Sequence, residues 1–175
     1  MSLKTNLKKL SPTFLNFVLP LLMYGIYSSL QNINDFGFYS FLLFFYFFLL
    51  ISTMHIIINF VSEIHSINQS KPKYYIIGEV VKFILLTSFL FSTYYWIIQD
   101  YNNKNFSNVI NGSKLEIFFD FYFFSITSFI MNNNSEIKPN TLLAKGIVLT
   151  QILASFITIV LFLAQYKEFG NIEVI

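Results

Sequence analysis

The chain has 175 residues, of which 55% are hydrophobic and 20% aromatic while only 11% are charged, and its mean hydropathy is +0.60. Soluble domains carry about 25% charged residues, so this chain lacks the charge to cover a water-facing surface, and the bilayer is its expected solvent. The absence of cysteine excludes disulfides, thiol catalysis and iron–sulfur clusters, and eleven basic residues, all lysine, against nine acids give no patch for nucleic acid.

A spanning helix needs about 20 mostly apolar residues, and four runs qualify. The first is Phe14 to Leu30, with Ser11 as its cap, Pro12 at the first helical position and Pro20 as a kink. The second, Phe38 to Val61, holds the aromatic run Phe44, Phe45, Tyr46, Phe47 and Phe48, which points to wide exposure to lipid or neighbouring helices. It also contains His55, whose imidazole is expected to be satisfied by Ser52 or Thr53, since no second metal ligand accompanies it. The third, Tyr74 to Ile98, carries Glu79 and Lys82 three apart on one face, where they can pair. It closes on Tyr94, Tyr95 and Trp96, rings expected at a headgroup boundary. The fourth is Leu142 to Gln165, entered through Pro139.

Lysines in short connections mark the cytoplasmic side. Lys4, Lys8 and Lys9 precede the first run, Lys71 and Lys73 join the second to the third, and Lys167 follows the fourth, whereas Gln31 to Gly37 has none. Both termini are therefore expected inside, with Lys104, Lys114, Lys138 and Lys145 counting against that orientation. The long first run, with no small-residue cleavage site after it, predicts no cleaved signal peptide. Abundant Asn, Ile, Lys, Phe and Tyr without Arg reflect AT-rich codons and suggest a bacterial inner membrane as the location.

Between the third and fourth runs, Ser113-Lys114-Leu115-Glu116 has the spacing of a capping box and predicts a helix start. The apolar stretch Phe121 to Met131 that follows has eleven residues, too few to cross, and reads as re-entrant or interfacial. Asn132-Asn133-Asn134-Ser135-Glu136 comes next, a polar turn that needs protein or water partners at membrane depth.

These residues resemble the pore module of tetrameric potassium channels, in particular the small bacterial two-helix ion-channel domain. The resemblance covers Tyr74 to Gln165: Phe124 to Phe129 resembles the end of the pore helix, Glu136 the acid after the filter, Pro139 the proline that opens the inner helix, and Leu143 to Ala164 the inner helix itself. It implies an all-α membrane protein with four transmembrane helices and one re-entrant pore helix, assembled as a homotetramer. The implied organisation is an N-terminal two-helix hairpin over residues 1–73, a pore module over 74–166 and a short cytoplasmic tail over 167–175. It also implies a filter at Met131, Asn132, Asn133, Asn134 and Ser135, an outer mouth at Glu136 and an inner cavity lined by Leu149, Ile152, Phe156 and Val160.

The family's Thr-Val-Gly-Tyr-Gly signature is replaced here by Met-Asn-Asn-Asn-Ser. Its glycines let the backbone aim carbonyls at the ion; of the replacements, Asn133 is the residue best able to adopt a left-handed conformation. The expectation is a channel for monovalent cations, K+ or Na+, with no cofactor and no resident metal. The alternative is a non-conducting subunit of the same fold with a regulatory or assembly role. A third possibility is a proton relay or enzyme built on His55 and Glu79. No phosphate loop, catalytic triad or metal-spaced cluster supports an enzyme, no arginine ladder supports voltage sensing, and the ten residues Tyr166 to Ile175 predict no cytoplasmic ligand domain.

Overall fold

The computed structural model describes residues 12–29, 35–70, 74–132 and 135–169. In chain order they form helices α1 (Pro12–Ser29), α2 (Asp35–Ser70) and α3 (Tyr74–Tyr101), strand β1 (Phe106–Ser107), helix α4 (Lys114–Phe129), strand β2 (Lys138–Pro139) and helix α5 (Leu142–Phe169). Three segments are long and apolar enough to cross a bilayer: Gly37–His65 in α2, Tyr75–Tyr101 in α3 and Leu142–Ala164 in α5. The chain is thus a mostly helical membrane protein.

The first expected run is an 18-residue helix containing Pro20. At about 27 Å it falls just short of a hydrocarbon core of about 30 Å, and it is not one of the three long apolar segments. Ser11, Lys4, Lys8, Lys9, Lys71 and Lys73 lie outside the described residues. The second run is longer than its apolar core suggested, because no glycine or proline between Phe38 and Ser70 stops the helix. With 36 residues, α2 spans about 54 Å; in a bilayer of about 40–45 Å including headgroups it must tilt or project.

Helix α3 is the hub, packed against all four other helices. Helix α1 runs parallel to it, with Tyr24 on Trp96 at 4.8 Å between ring centroids and the Tyr27 hydroxyl donating to Asp100 Oδ2 at 2.7 Å. Helix α2 is antiparallel: Phe38 stacks on Tyr101, the Tyr94 hydroxyl donates to the Leu42 carbonyl at 2.7 Å, and Phe60 meets Phe83 at 4.5 Å. Tyr46 of α2 and Thr150 of α5 share a hydrogen bond of 2.7 Å.

One expectation fails here. Tyr94, Tyr95 and Trp96 are core residues, 1%, 0% and 7% exposed, and form no belt facing headgroups. Four helices surround α3 at this level, and every residue from Leu86 to Ile98 except Phe89 is buried. Phe44 and Phe47 of α2, by contrast, are exposed as the aromatic run suggested.

Candidate functional site

The site is built around α4. Its start is the capping box read from the sequence: the Glu116 amide donates to Ser113 Oγ at 3.3 Å, and the Ser113 amide donates to Glu116 Oε2 at 2.6 Å. The Ser113 amide, and after it the Ser113 side chain, hydrogen-bond the Glu116 carboxylate and hold it below the usual carboxylate range. Glycine at position 112 keeps the box compact, since a Cβ there would come within 2.6 Å of Glu116 Oε2 and 3.1 Å of its Cβ.

From that start the helix descends antiparallel to α3. Phe118 meets Trp96 and Phe89 at 6.4 and 5.6 Å, Phe121 and Phe124 meet Tyr95 at 6.2 and 5.4 Å, and Phe129 meets Phe83 at 5.7 Å. Its 16 residues cover about 24 Å. The helix therefore stops short of the start of α3, with about two and a half turns of α3 still beyond Phe83.

Its C-terminus is closed by a Schellman motif: the Met131 amide donates to the Ser128 carbonyl at 3.2 Å and the Asn132 amide to the Thr127 carbonyl at 2.7 Å. This puts Met131 at φ 55°, a position normally given to glycine, at a cost of about 1–2 kcal/mol. The Met that stands first in the expected filter thus closes the helix, one residue past its C-cap Ile130. Asn133 and Asn134 lie outside the described residues.

The chain comes back to the level where α4 began, because β2 pairs antiparallel with β1 through Phe106 opposite Pro139 and Ser107 opposite Lys138. At about 3.3 Å per residue, the nine steps from Phe129 to Lys138 reach about 30 Å, enough to retrace the helix. Asn108, at φ 60°, donates from Nδ2 to the Glu136 carbonyl at 3.0 Å. Asn105, only 5% exposed, is the joint between helices: its Nδ2 donates to the Ile98 carbonyl at 2.6 Å, and its Oδ1 accepts from Thr141 Oγ1 at 2.6 Å. Thr141 in turn caps α5 by accepting from the Ala144 amide at 3.3 Å. The helix is therefore entered through Thr141. Pro139 sits in β2, where a short edge strand tolerates its missing N–H.

Gln151 ties the assembly together. It is fully buried in α5; its Oε1 accepts from the Tyr95 hydroxyl at 2.6 Å and from Ser125 Oγ at 3.1 Å, and its Nε2 donates to the Ser125 carbonyl at 2.6 Å. One amide thus fixes α5 to both α3 and α4. The sequence signal is a glutamine in an otherwise apolar run. For Asn105 there was no usable signal in so Asn-rich a chain.

Of the expected site residues, Met131, Asn132, Ser135 and Ile152 come together in one cleft of about 560 Å³, which Phe124, Thr127 and Val148 also line. Glu136 is exposed beside it in the chain. Leu149, Ile152, Phe156 and Val160 form one exposed apolar stripe on α5, while Ala144, Ile147, Gln151, Ala154 and Thr158 face the other helices. His55 is exposed on α2 and, among the described residues, makes no hydrogen bond with Ser52 or Thr53, the expected partners; Thr53 is buried and donates to the Leu49 carbonyl at 2.7 Å. Glu79 and Lys82 form the expected ion pair within α3. Among the described residues no cluster of His, Asp or Glu could hold a metal ion.

No family model matches the chain, and no curated protein or solved structure matches it either.

Proposed function

We propose that the chain is the subunit of a homotetrameric channel for monovalent cations in a bacterial inner membrane. In this reading α1, α2, α3 and α5 span the bilayer, α4 is a re-entrant pore helix, and both termini are cytoplasmic. The observation that carries it is the short helix α4, which stops about two and a half turns before the start of α3 and is followed by a polar segment returning to its starting level beside a cleft against α5.

The chemistry is electrostatic. The C-terminal end of α4 carries the negative end of its dipole and faces the depth where a dehydrating cation needs support. Around a fourfold axis, the amides of Asn132, Asn133 and Asn134 with Ser135 give neutral rings suited to a partly hydrated K+ or Na+, and a Glu136 ring enriches cations at the outer mouth. Leu149, Ile152, Phe156 and Val160 then line an apolar inner cavity. The resemblance to potassium channels supports the ion class, and the replaced signature favours weak discrimination between K+ and Na+.

A second reading is a channel-fold subunit that does not conduct. The Schellman cap favours it, because the Thr127 and Ser128 carbonyls are already used by the backbone and a half-exposed Met131 follows them. Potassium and sodium flux into proteoliposomes separates the two. The channel predicts flux that changes when Asn132, Asn133 and Asn134 are replaced by alanine; correctly inserted tetramers without flux for either ion favour the second reading.

A further inference from the structure

A groove of about 360 Å³ runs between α1, α3 and the start of α4, walled by Pro20, Leu21, Tyr24, Phe89, Trp96 and Phe118. Its lining is aromatic and aliphatic apart from two side chains. Thr93 is one, and its hydroxyl is spent on the Phe89 carbonyl at 3.0 Å. Lys114 is the other, the first residue of α4, and among the described residues it forms no ion pair. Trp96 and Phe89 are seven residues apart, so the groove follows α3 for about 10 Å down from the lysine. A larger groove of about 620 Å³, between α2 and α5, has no charged side chain in its lining.

We propose that the first groove holds one acyl chain of an anionic membrane phospholipid whose phosphate pairs with Lys114. An apolar trough with a single cation at one end complements a lipid with a single anionic head, and a neutral hydrocarbon occupant would leave the lysine without a counter-charge. The partial positive charge at the start of α4 adds to the attraction. The proposal rests on the reading that α4 lies within the bilayer beside α1 and α3. It puts the lipid on the back of α4, away from the cleft that holds Asn132, where its occupancy would brace the helix against α1.

Native mass spectrometry of the detergent-purified full chain, titrated with phosphatidylglycerol or phosphatidylcholine of identical chains, tests this. The wild type should retain phosphatidylglycerol about fivefold more tightly, the preference expected of one basic residue near an anionic surface. Lys114→Gln should abolish that preference, Lys145→Gln should keep it, and Leu21→Trp, at an exposed wall position, should reduce retention of both lipids. Equal retention by the wild type, an unchanged preference in Lys114→Gln, or an equal loss in Lys145→Gln would overturn the proposal. Retention is read as mass without ion flux, so a chain that does not conduct still answers the question.

Discussion

The two halves of the helix bundle are held by different forces. At the end where α4 begins, side-chain hydrogen bonds join nearly every element: Gln151 to Tyr95 and Ser125, Asn105 to Ile98 and Thr141, Asn108 to Glu136, and Tyr27 to Asp100. In the other half, α2, α3 and α5 meet through rings and aliphatic chains, and the ion pair Glu79–Lys82 lies within one helix. Here too lie Asn59 Nδ2 and the hydroxyls of Thr87 and Ser88, buried without a partner among the described residues. In a bilayer an apolar contact scarcely distinguishes a helix from lipid tails, whereas a hydrogen bond or a close fit does. The first half is therefore the fixed frame of the bundle, and the second has fewer directional ties between its helices.

Breaking the frame should have the largest effect. Gln151→Leu removes three interhelical bonds, each worth roughly 0.6 kcal/mol in membrane proteins, and should lower stability by about 2 kcal/mol in reversible unfolding from detergent. Tyr95→Phe added to Gln151→Leu should cost little more, because the two groups share one bond. Asn105→Ala should follow at about 1 kcal/mol by the same measurement, with faster amide exchange at the start of α5 where Thr141 loses its support. A change of opposite sign sharpens the contrast: Met131→Gly relieves a left-handed residue and should stabilise the fold by about 1 kcal/mol. The smallest effect is that of pH on the exposed box. Because the Glu116 carboxyl is held below its usual range, its contribution is complete above the ordinary carboxylate pKa and is lost as pH falls through the lowered value. Glu116→Gln should remove that acid-side dependence from an unfolding profile.

How much of this was legible in the sequence differs between the same two regions. The long apolar helices and the start of α4 were readable because apolar length and the Ser-x-x-Glu spacing are local signals, and Ser113 and Glu116 form the pair so indicated. The helix ends were harder: α2 runs past Val61 because no glycine or proline stops it where hydropathy falls. Tyr94, Tyr95 and Trp96 read as interfacial because ring chemistry is the same in a belt and in a core; only the neighbours of α3 decide, and those are not in the local pattern. In the site, Met131, Asn132, Ser135 and Ile152 are expected from the sequence and line one cleft, yet the residues that fix its geometry, Gln151, Asn105 and Thr141, act across 26 to 56 positions of sequence. The left-handed turn at Met131 ran against residue preference and could be seen only in the backbone.

The most direct test of the central claim uses the absence of cysteine, which makes every single-cysteine variant a clean reporter. A charged, water-soluble thiol reagent reacts with the thiolate, and a thiol facing lipid does not ionise. In proteoliposomes carrying Ile152→Cys, in the cleft, the reagent should stop cation flux, while in those carrying Leu43→Cys, on the exposed face of α2, it should leave flux unchanged. Flux that survives modification at Ile152→Cys, or that stops only at Leu43→Cys, would place the conduction path elsewhere and contradict the account.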